Sequence, residues 1–237
     1  MTQFDAADPV SPADAADPDA RGDVRQLLRS IPVFAGVGAE FDPRAVPADP
    51  SELFVAWLRS AVRAQVREPH AMTLATVGAD GVPSSRVLIC KDVSSVGWSF
   101  ATDARSRKGR ELESRPVAAA SFYWPEQGRQ VRVVGHTVRA DRETSAADFL
   151  ARSSQSRAAA FASRTDEPLA SLAQLAGAFE RSRAAVEARP GAVLDSWVVY
   201  TLVADEVEFF QGAANRQHVR VRYERGDDGW EHALTWP

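Results

Sequence analysis

Residues Arg86 to Lys108 read RVLICKDVSSVGWSFATDARSRK, and the fold follows from how this stretch is divided. Val87 to Ile89 and Trp98 to Thr102 are short, β-rich apolar runs, and DVSSVG between them has the composition of a turn. A helix then opens, capped by Asp103 or Ser106, with SRKGR as its first turn. Of the 28 lysines and arginines in the chain only Lys91 and Lys108 are lysines, and both fall here. An ammonium is a compact point charge where a guanidinium is a planar fork, so the pattern marks two places that favour a point charge. Free N–H groups at the helix start, the positive end of its dipole, and the side chains of Arg107 and Lys108 converge on one place. Arg86 and Lys91 stand one strand away, and the whole suits a phosphate dianion. A solvated basic turn is the competing reading of the same residues.

Outward from this stretch the pattern stays antiparallel. Met72 to Val77 is a strand, GADG a tight turn, and Pro83 to Ile89 its partner. Beyond the SRKGRELE helix come Val117 to Trp124, a PEQG turn, and Gln130 to Arg139. Asp141 to Ala188 is helical, with breaks near Ser153 and at Pro168. Strands then return over Trp197 to Leu202, Val207 to Phe210, His218 to Arg225 and, across GDDG, Trp230 to Leu234. Short sequential strands joined by tight turns indicate a mainly β chain with α additions, folded as an antiparallel barrel rather than a parallel βαβ sheet. Upstream, Asp49 or Ser51 opens an amphipathic helix that ends before Glu68-Pro69. Its stripe of Leu53, Phe54, Trp57, Leu58, Ala61 and Val62 is spaced for packing. Val24 to Ser30 forms a short helix. Residues 1–23, rich in Asp, Ala and Pro, bury too little to offset their ordering entropy and read as a disordered acidic tail, leaving 24–237 as a single domain.

Composition narrows the function. The chain has 237 residues, 45% of them hydrophobic, enough for one substantial core. A net charge of −4 argues against a nucleic-acid binder, so the local basic cluster points to a small anionic ligand. Cys90 is the single cysteine, which excludes an intrachain disulfide and a thiolate metal site and fits a reducing compartment. No apolar run approaches the ~18 residues of a membrane span and the start lacks a signal-peptide pattern, so a cytoplasmic protein without membrane contact is expected. His70, His136, His218 and His232 show no metal-ligand spacing, and GxGxxG, GxxxxGK[ST] and GxSxG are all absent. A phosphate-binding barrel without acid–base machinery of its own takes its reactivity from a cofactor.

A second constellation lies in VEFFQGAANRQHVRVRYE. Glu206 to Phe210 reads as a strand and QGAAN as a turn. Arg216, His218 and Arg220 then alternate along the next strand, where period 2 places all three on one face. An imidazole between two guanidiniums suits orientation of an anionic or electron-rich ring, and a solvated cationic face is the plainer alternative.

With these blocks on the page, the chain resembles the pyridoxamine 5'-phosphate oxidases, flavoproteins with an FMN-binding split β-barrel. The resemblance runs from about Glu68 to Pro237. It is carried by AMTLATV and its turn, RVLICK, AT…SRKGRELE, GRQVRV around Gln130, and EFFQG…R.H.R, in step without gaps from Arg86 to about Phe149. It implies a homodimer with FMN at the subunit interface. The flavin contacts would fall on Arg86, Val87, Leu88, Ile89, Lys91, Thr102, Arg107, Lys108, Gln130, Phe210 and Arg220. It implies a small phosphorylated pyridine substrate whose phosphate meets Lys91, Arg152 and Ser156, with Arg216 and His218 as the catalytic pair at the reactive side. Hydride would leave the carbon bearing the amine or alcohol for the flavin, O2 would reoxidise the flavin, and pyridoxal 5'-phosphate would form.

Four departures accompany the match. Asp148 stands where the family has a tyrosine against the substrate phosphate, and Thr165-Asp166 replaces a Gln-Ser pair at the flavin. Phe210 replaces the signature tryptophan, and Gln217 stands for an aliphatic residue between the Arg and the His. Two rivals therefore stay open: a phenazine-type or other flavin oxidase of the same fold, and a non-catalytic carrier of FMN or pyridoxal phosphate.

Overall fold

The computed structural model describes residues 20–34 and 41–237, so most of the stretch read as an acidic tail lies outside the described residues. Helix α1 spans Ala20–Ser30 and begins four residues before the expected Val24. Helix α2 spans Pro50–Arg63. Asp49 caps it, accepting from the Ser51 N–H at 2.8 Å, and Pro50 occupies the first turn, where its missing N–H costs nothing. The helix ends at Arg63 rather than near Glu68, because Gln65 adopts φ 56° and reverses the chain. The Gln65 N–H then donates to the Val62 carbonyl and the Val66 N–H to the Ala61 carbonyl, the bonding pattern of a Schellman motif.

The strands are β1 Ala71–Val77, β2 Pro83–Ile89, β3 Asp92–Ser94, β4 Gly97–Asp103, β5 Val117–Trp124, β6 Arg129–Arg139, β7 Trp197–Gln211, β8 Val219–Gly226 and β9 Gly229–Leu234. Helix α3, Arg107–Ser114, follows β4, while α4 Arg142–Ala151, α5 Ser154–Ala162 and α6 Leu172–Ala188 lie between β6 and β7. All the strand pairs are antiparallel, in the order β2-β1-β5-β6-β7-β4-β3, with β8 on β7 and β9 on β8. The two ends of that order, β2 and β3, are consecutive in the chain and separated only by Cys90 and Lys91, so the sheet must curl back on itself. The Lys91 N–H donates to the Ser99 carbonyl at 2.8 Å across this seam. The barrel is split because β7 serves two partners in succession: Trp197–Leu202 pairs with β4, and Glu206–Gln211 pairs with β8.

Two segments depart from the sequence reading. DVSSVG is a hairpin with its own short strand, β3, rather than a bare turn. The two strands expected at Trp197–Leu202 and Val207–Phe210 are one continuous strand. Polar Asp205 and Glu206 look like a break, yet a register shift between Val134 and Gly135 lets β6 follow β7 through it. A β-carbon on Gly135 would overlap the Val203 carbonyl, so the bulge requires glycine there.

Inside the barrel, alternate residues of the strands meet the apolar stripe of α2. Phe54 packs edge-on against Trp98 and Phe122, at 5.6 and 4.7 Å between ring centroids, and Trp57 packs edge-on against Phe209 at 5.3 Å. The stripe is narrower than its spacing suggests, since Val62 is 59% exposed.

Candidate functional site

Three groups of candidate residues form around this frame. The first sits where α3 meets the open end of β1 and β2. Ser106 caps α3, its hydroxyl accepting from the Gly109 N–H at 3.2 Å and donating to the Asp103 carbonyl at 2.7 Å. A β-carbon on Gly109 would overlap the Ala104 backbone, so glycine lets the helix start close against the end of β4. Thr102 is buried beside the cap, 3.4 Å from the Ser106 hydroxyl. Lys108 Nζ donates to the Ser106 hydroxyl at 3.2 Å. The centre of the group is Glu111, which the sequence reading did not single out. Its Oε2 accepts from Thr76 at 2.5 Å and Ser84 at 2.6 Å, its Oε1 accepts from Arg107 Nε at 2.8 Å, and Arg86 Nη2 lies 3.5 Å from Oε2. Arg86 also donates to Thr76 Oγ1 at 2.6 Å, to the Leu74 carbonyl at 3.1 Å and to Ser84.

Two guanidiniums, Arg86 and Arg107, thus share one buried carboxylate, and Lys108 stands beside them on the Ser106 cap. Burial and the adjacent Arg86 charge push the Lys108 ammonium below its ordinary pKa, against the pull of Asp103 and Asp166. Burial raises the Glu111 carboxyl, but hydrogen bonds from Ser84, Thr76 and Arg107 outweigh it and hold the group at about 2, against 4.5 unperturbed. A depressed carboxylate pKa contributes stability that is present above pH ~4.5 and is lost as pH falls towards ~2. Glu111→Gln is therefore expected to cost about 2 kcal/mol near neutrality, by leaving two guanidiniums without their charged partner. The gap between wild type and variant should narrow steadily below pH ~4.5 in urea denaturation midpoints. A gap independent of pH would mean that the carboxylate charge is not what holds this network.

The second group lies where α4 meets the start of β7. Lys91 is not engaged with the α3 cluster: its Nζ donates to Asp148 Oδ1 at 2.6 Å, while Asp148 Oδ2 accepts from Trp197 Nε1 at 2.8 Å. Arg152 lies over the Trp197 ring, its guanidinium carbon 4.1 Å from that ring centroid and 5.8 Å from that of Phe149. Its Nη1 is buried without a hydrogen-bond partner. Ser156 accepts from the Ser153 hydroxyl at 2.9 Å, and Ser153 itself caps α5.

The third group lies on β6, β7 and β8. Gln130, Phe210 and Arg220 stand opposite one another across the three strands, with buried Val131, Phe209 and Val221 alternating to the core side. Arg220 Nε is 3.6 Å from Glu208 Oε1, and its guanidinium lies 5.7 Å from the Phe210 ring centroid. Arg216 and His218 do not alternate along a strand with Arg220, as period 2 would have it. Strand β8 begins only at Val219, and Arg216 has φ 67° in the preceding turn. The turn is closed by the imidazole itself, His218 Nδ1 accepting from the Ala213 N–H at 3.0 Å. Gln211 anchors its start, donating to the carbonyls of Gln127 and Gly212 and accepting from buried Arg129. Phe34 covers the group, 5.0 Å from the His218 ring and 6.1 Å from that of Phe210.

Residues 58–186 match the family model described as pyridoxamine 5'-phosphate oxidase. The chain belongs to the pyridoxamine 5'-phosphate oxidase family. Residues 197–237 match a second model, described as the pyridoxine 5'-phosphate oxidase C-terminal dimerisation region. A pyridoxine/pyridoxamine 5'-phosphate oxidase of Thermosynechococcus vestitus is 44% identical over 192 residues, 80% of this chain and 89% of the relative. One from Chromobacterium violaceum is 40% identical over 202 residues, 84% of this chain and 93% of the relative. Among solved structures, PhzG from Burkholderia lata in complex with tetrahydrophenazine-1-carboxylic acid superposes with a TM-score of 0.79 at 32% identity, covering 86% of this chain and 100% of that one. Within the pyridoxamine 5'-phosphate oxidase family, then, the departures acquire a physical setting. Asp148 is bonded to Lys91 and Trp197, and Asp166, with φ 68°, pairs with Arg110 at 2.6 Å. Burial pushes the Cys90 thiol up to about 12, which removes it from consideration as a nucleophile.

Proposed function

We propose that this protein is an FMN-dependent oxidase of the pyridoxine/pyridoxamine 5'-phosphate type, acting as a cytoplasmic homodimer in which residues 24–237 form one domain. The observation that carries the reading is the excess of positive charge at the start of α3. Arg86 and Arg107 have Glu111 as their shared counter-charge, Lys108 stands beside them with its Nζ on the Ser106 hydroxyl next to the free N–H groups of a capped helix, and a phosphate dianion fits the excess of positive charge. FMN, when bound, supplies the redox chemistry, accepting electrons from the substrate carbon and passing them to O2.

The chain's own residues bind and orient. Arg107 and Lys108 hold the cofactor phosphate, with Arg86 braced behind them by Thr76, Ser84 and Glu111. Val87, Leu88, Ile89, Lys91, Thr102, Gln130, Phe210 and Arg220 are assigned to the remaining flavin contacts. Lys91, Arg152 and Ser156 are assigned to the anionic arm of the substrate, and Arg216 and His218 to its ring. Because His218 Nδ1 accepts a backbone N–H, the neutral imidazole carries its proton on Nε2 and offers an N–H donor on its free side.

Two features support assembly of the site between subunits. The surface carries large apolar side chains on β2, β5 and the C-terminal segment, with Val87 65%, Tyr123 59%, Leu234 62% and Trp236 94% exposed. The two grooves along α6, of about 700 and 510 Å³, are lined by none of the candidate residues. No helix among the described residues is long and apolar enough to cross a membrane. The test is to purify the protein, identify its chromophore, and mix it with pyridoxamine 5'-phosphate in air while following peroxide. One FMN per protomer and stoichiometric peroxide are expected, and a colourless protein that FMN does not reconstitute would overturn the reading.

A further inference from the structure

We propose that Arg129 is a positioning residue, which through Gln211 holds the turn bearing Arg216 and His218 where their contacts with the substrate ring require it. The proposal rests on the assignment of that pair made above and adds the residue behind it. Arg129 is buried at the start of β6, with its guanidinium carbon 4.4 Å from the centroid of the Trp57 ring on α2. Burial pushes its pKa below the ordinary value, and no carboxylate among the described residues offsets the shift. A guanidinium held in the core without a counter-charge is costly. The bond it makes there runs from Nε to Gln211 Oε1 at 2.9 Å. A guanidinium donates and never accepts, so it faces only the oxygen end of the Gln211 amide. The NH2 end is thereby turned to the carbonyls of Gln127 and Gly212, at 2.9 and 3.0 Å. With the amide reversed, its oxygen would face both carbonyl oxygens. In this orientation Gln211 clamps the start of the turn to the residues before β6, and the Gly212 N–H donates to the Gly128 carbonyl at 2.7 Å across the same junction. Gln127 in turn donates to the Ser60 hydroxyl at 3.0 Å, which anchors the clamp on α2. The far side of the clamp is Ala213, whose N–H donates to His218 Nδ1 and whose carbonyl accepts from the Arg216 N–H, both at 3.0 Å. A misplacement of about 1 Å at a substrate-orienting group costs about a hundredfold in rate, which gives such a clamp its leverage.

The experiment uses the FMN-loaded dimer and the variants Arg129→Met, Arg129→Lys and Gln211→Glu. Hydrogen exchange of residues 212–217 reads the turn directly, and peroxide release with pyridoxamine 5'-phosphate reads catalysis. Arg129→Met, which fills the space and removes the donor, is expected to speed exchange in the turn by about tenfold while exchange of residues 207–209 in β7 is unchanged. It should lower kcat/KM by about ten- to hundredfold, with FMN affinity within about twofold of wild type. Arg129→Lys retains a donor and is expected to recover most of both. Gln211→Glu keeps Arg129 paired but cannot donate to the carbonyls of Gln127 and Gly212. It should reproduce both losses, and it carries the test if Arg129→Met does not fold. A double-mutant cycle shows through which residues the effect runs: with Arg216→Ala and His218→Ala already in place, Arg129→Met should lower kcat/KM by less than about twofold further. Unchanged exchange in the turn, a full further loss of kcat/KM in the cycle, or loss of FMN would overturn the proposal. Failure of the oxidase reading looks different: FMN-loaded wild type would release no peroxide, while the exchange rates still report on Arg129 and Gln211.

Discussion

Arg107→Ala combined with Lys108→Ala is expected to give folded but largely colourless protein. Each charge-assisted contact to a phosphate contributes about 1.5–3 kcal/mol, so losing two weakens FMN by roughly 3–6 kcal/mol, or 10²- to 10⁴-fold. The fold should survive, because the Arg107 side chain is 54% exposed and Lys108 bonds only to the Ser106 cap. Arg86 is a poorer choice for this test. It donates to Leu74, Thr76 and Ser84 and meets Glu111, so its removal unravels the polar end of the barrel along with the cofactor site. Flavin absorbance after reconstitution, set beside the circular dichroism of the same sample, separates the two effects. Wild type should also bind FMN far more tightly than riboflavin, and equal affinities would mean that the cluster is a solvated basic face.

The barrel was legible in the sequence because its strands alternate between core and surface and its turns carry glycine. The hairpin of β1 and β2 and the pairing of β5 with β6 both follow from local patterns. Closure was not legible in the same way. It depends on β2 and β3 being the two ends of one sheet, a long-range fact with no local signature. The continuity of β7 was hidden for a related reason. Asp205 and Glu206 look like a loop, and only the bulge opposite them at Gly135 explains why pairing continues. In the turn before β8, alternation of Arg216, His218 and Arg220 imitated a strand that the positive φ at Arg216 interrupts.

The candidate site shows the same division. Ser106, Arg107 and Lys108 were readable because a cap and a first helical turn are local objects. Glu111 was not, since a glutamate in SRKGRELE looks like an ordinary solvated helix residue until Thr76 and Ser84, 35 and 27 positions away, are brought to it. Lys91 and Asp148 are 57 positions apart, and Asp148 and Trp197 are 49. Read along the chain, Asp148 was a departure from a family pattern; in space it is the partner of a lysine assigned to the same ligand.

Arg216→Ala and His218→Ala are expected to keep the yellow cofactor while lowering kcat/KM, each by roughly 1.5–4 kcal/mol, the range for a lost charged or transition-state contact. The two variants differ in what else they disturb. His218 Nδ1 satisfies the Ala213 N–H, so His218→Ala also frees a backbone donor and costs about 1 kcal/mol of stability, whereas Arg216 makes no side-chain hydrogen bond that the turn depends on. His218→Asn offers an acceptor of similar reach, and so should recover much of the stability without recovering catalysis, because it lacks the Nε2–H. Arg216→Gly removes the steric cost of φ 67° and should lose as much kcat/KM as Arg216→Ala with no loss of melting temperature. Flavin content, melting temperature and steady-state kinetics on the four proteins decide the matter. Variants that keep both flavin and kcat/KM would remove Arg216 and His218 from the catalytic pair, and variants that lose flavin would move them into the cofactor site.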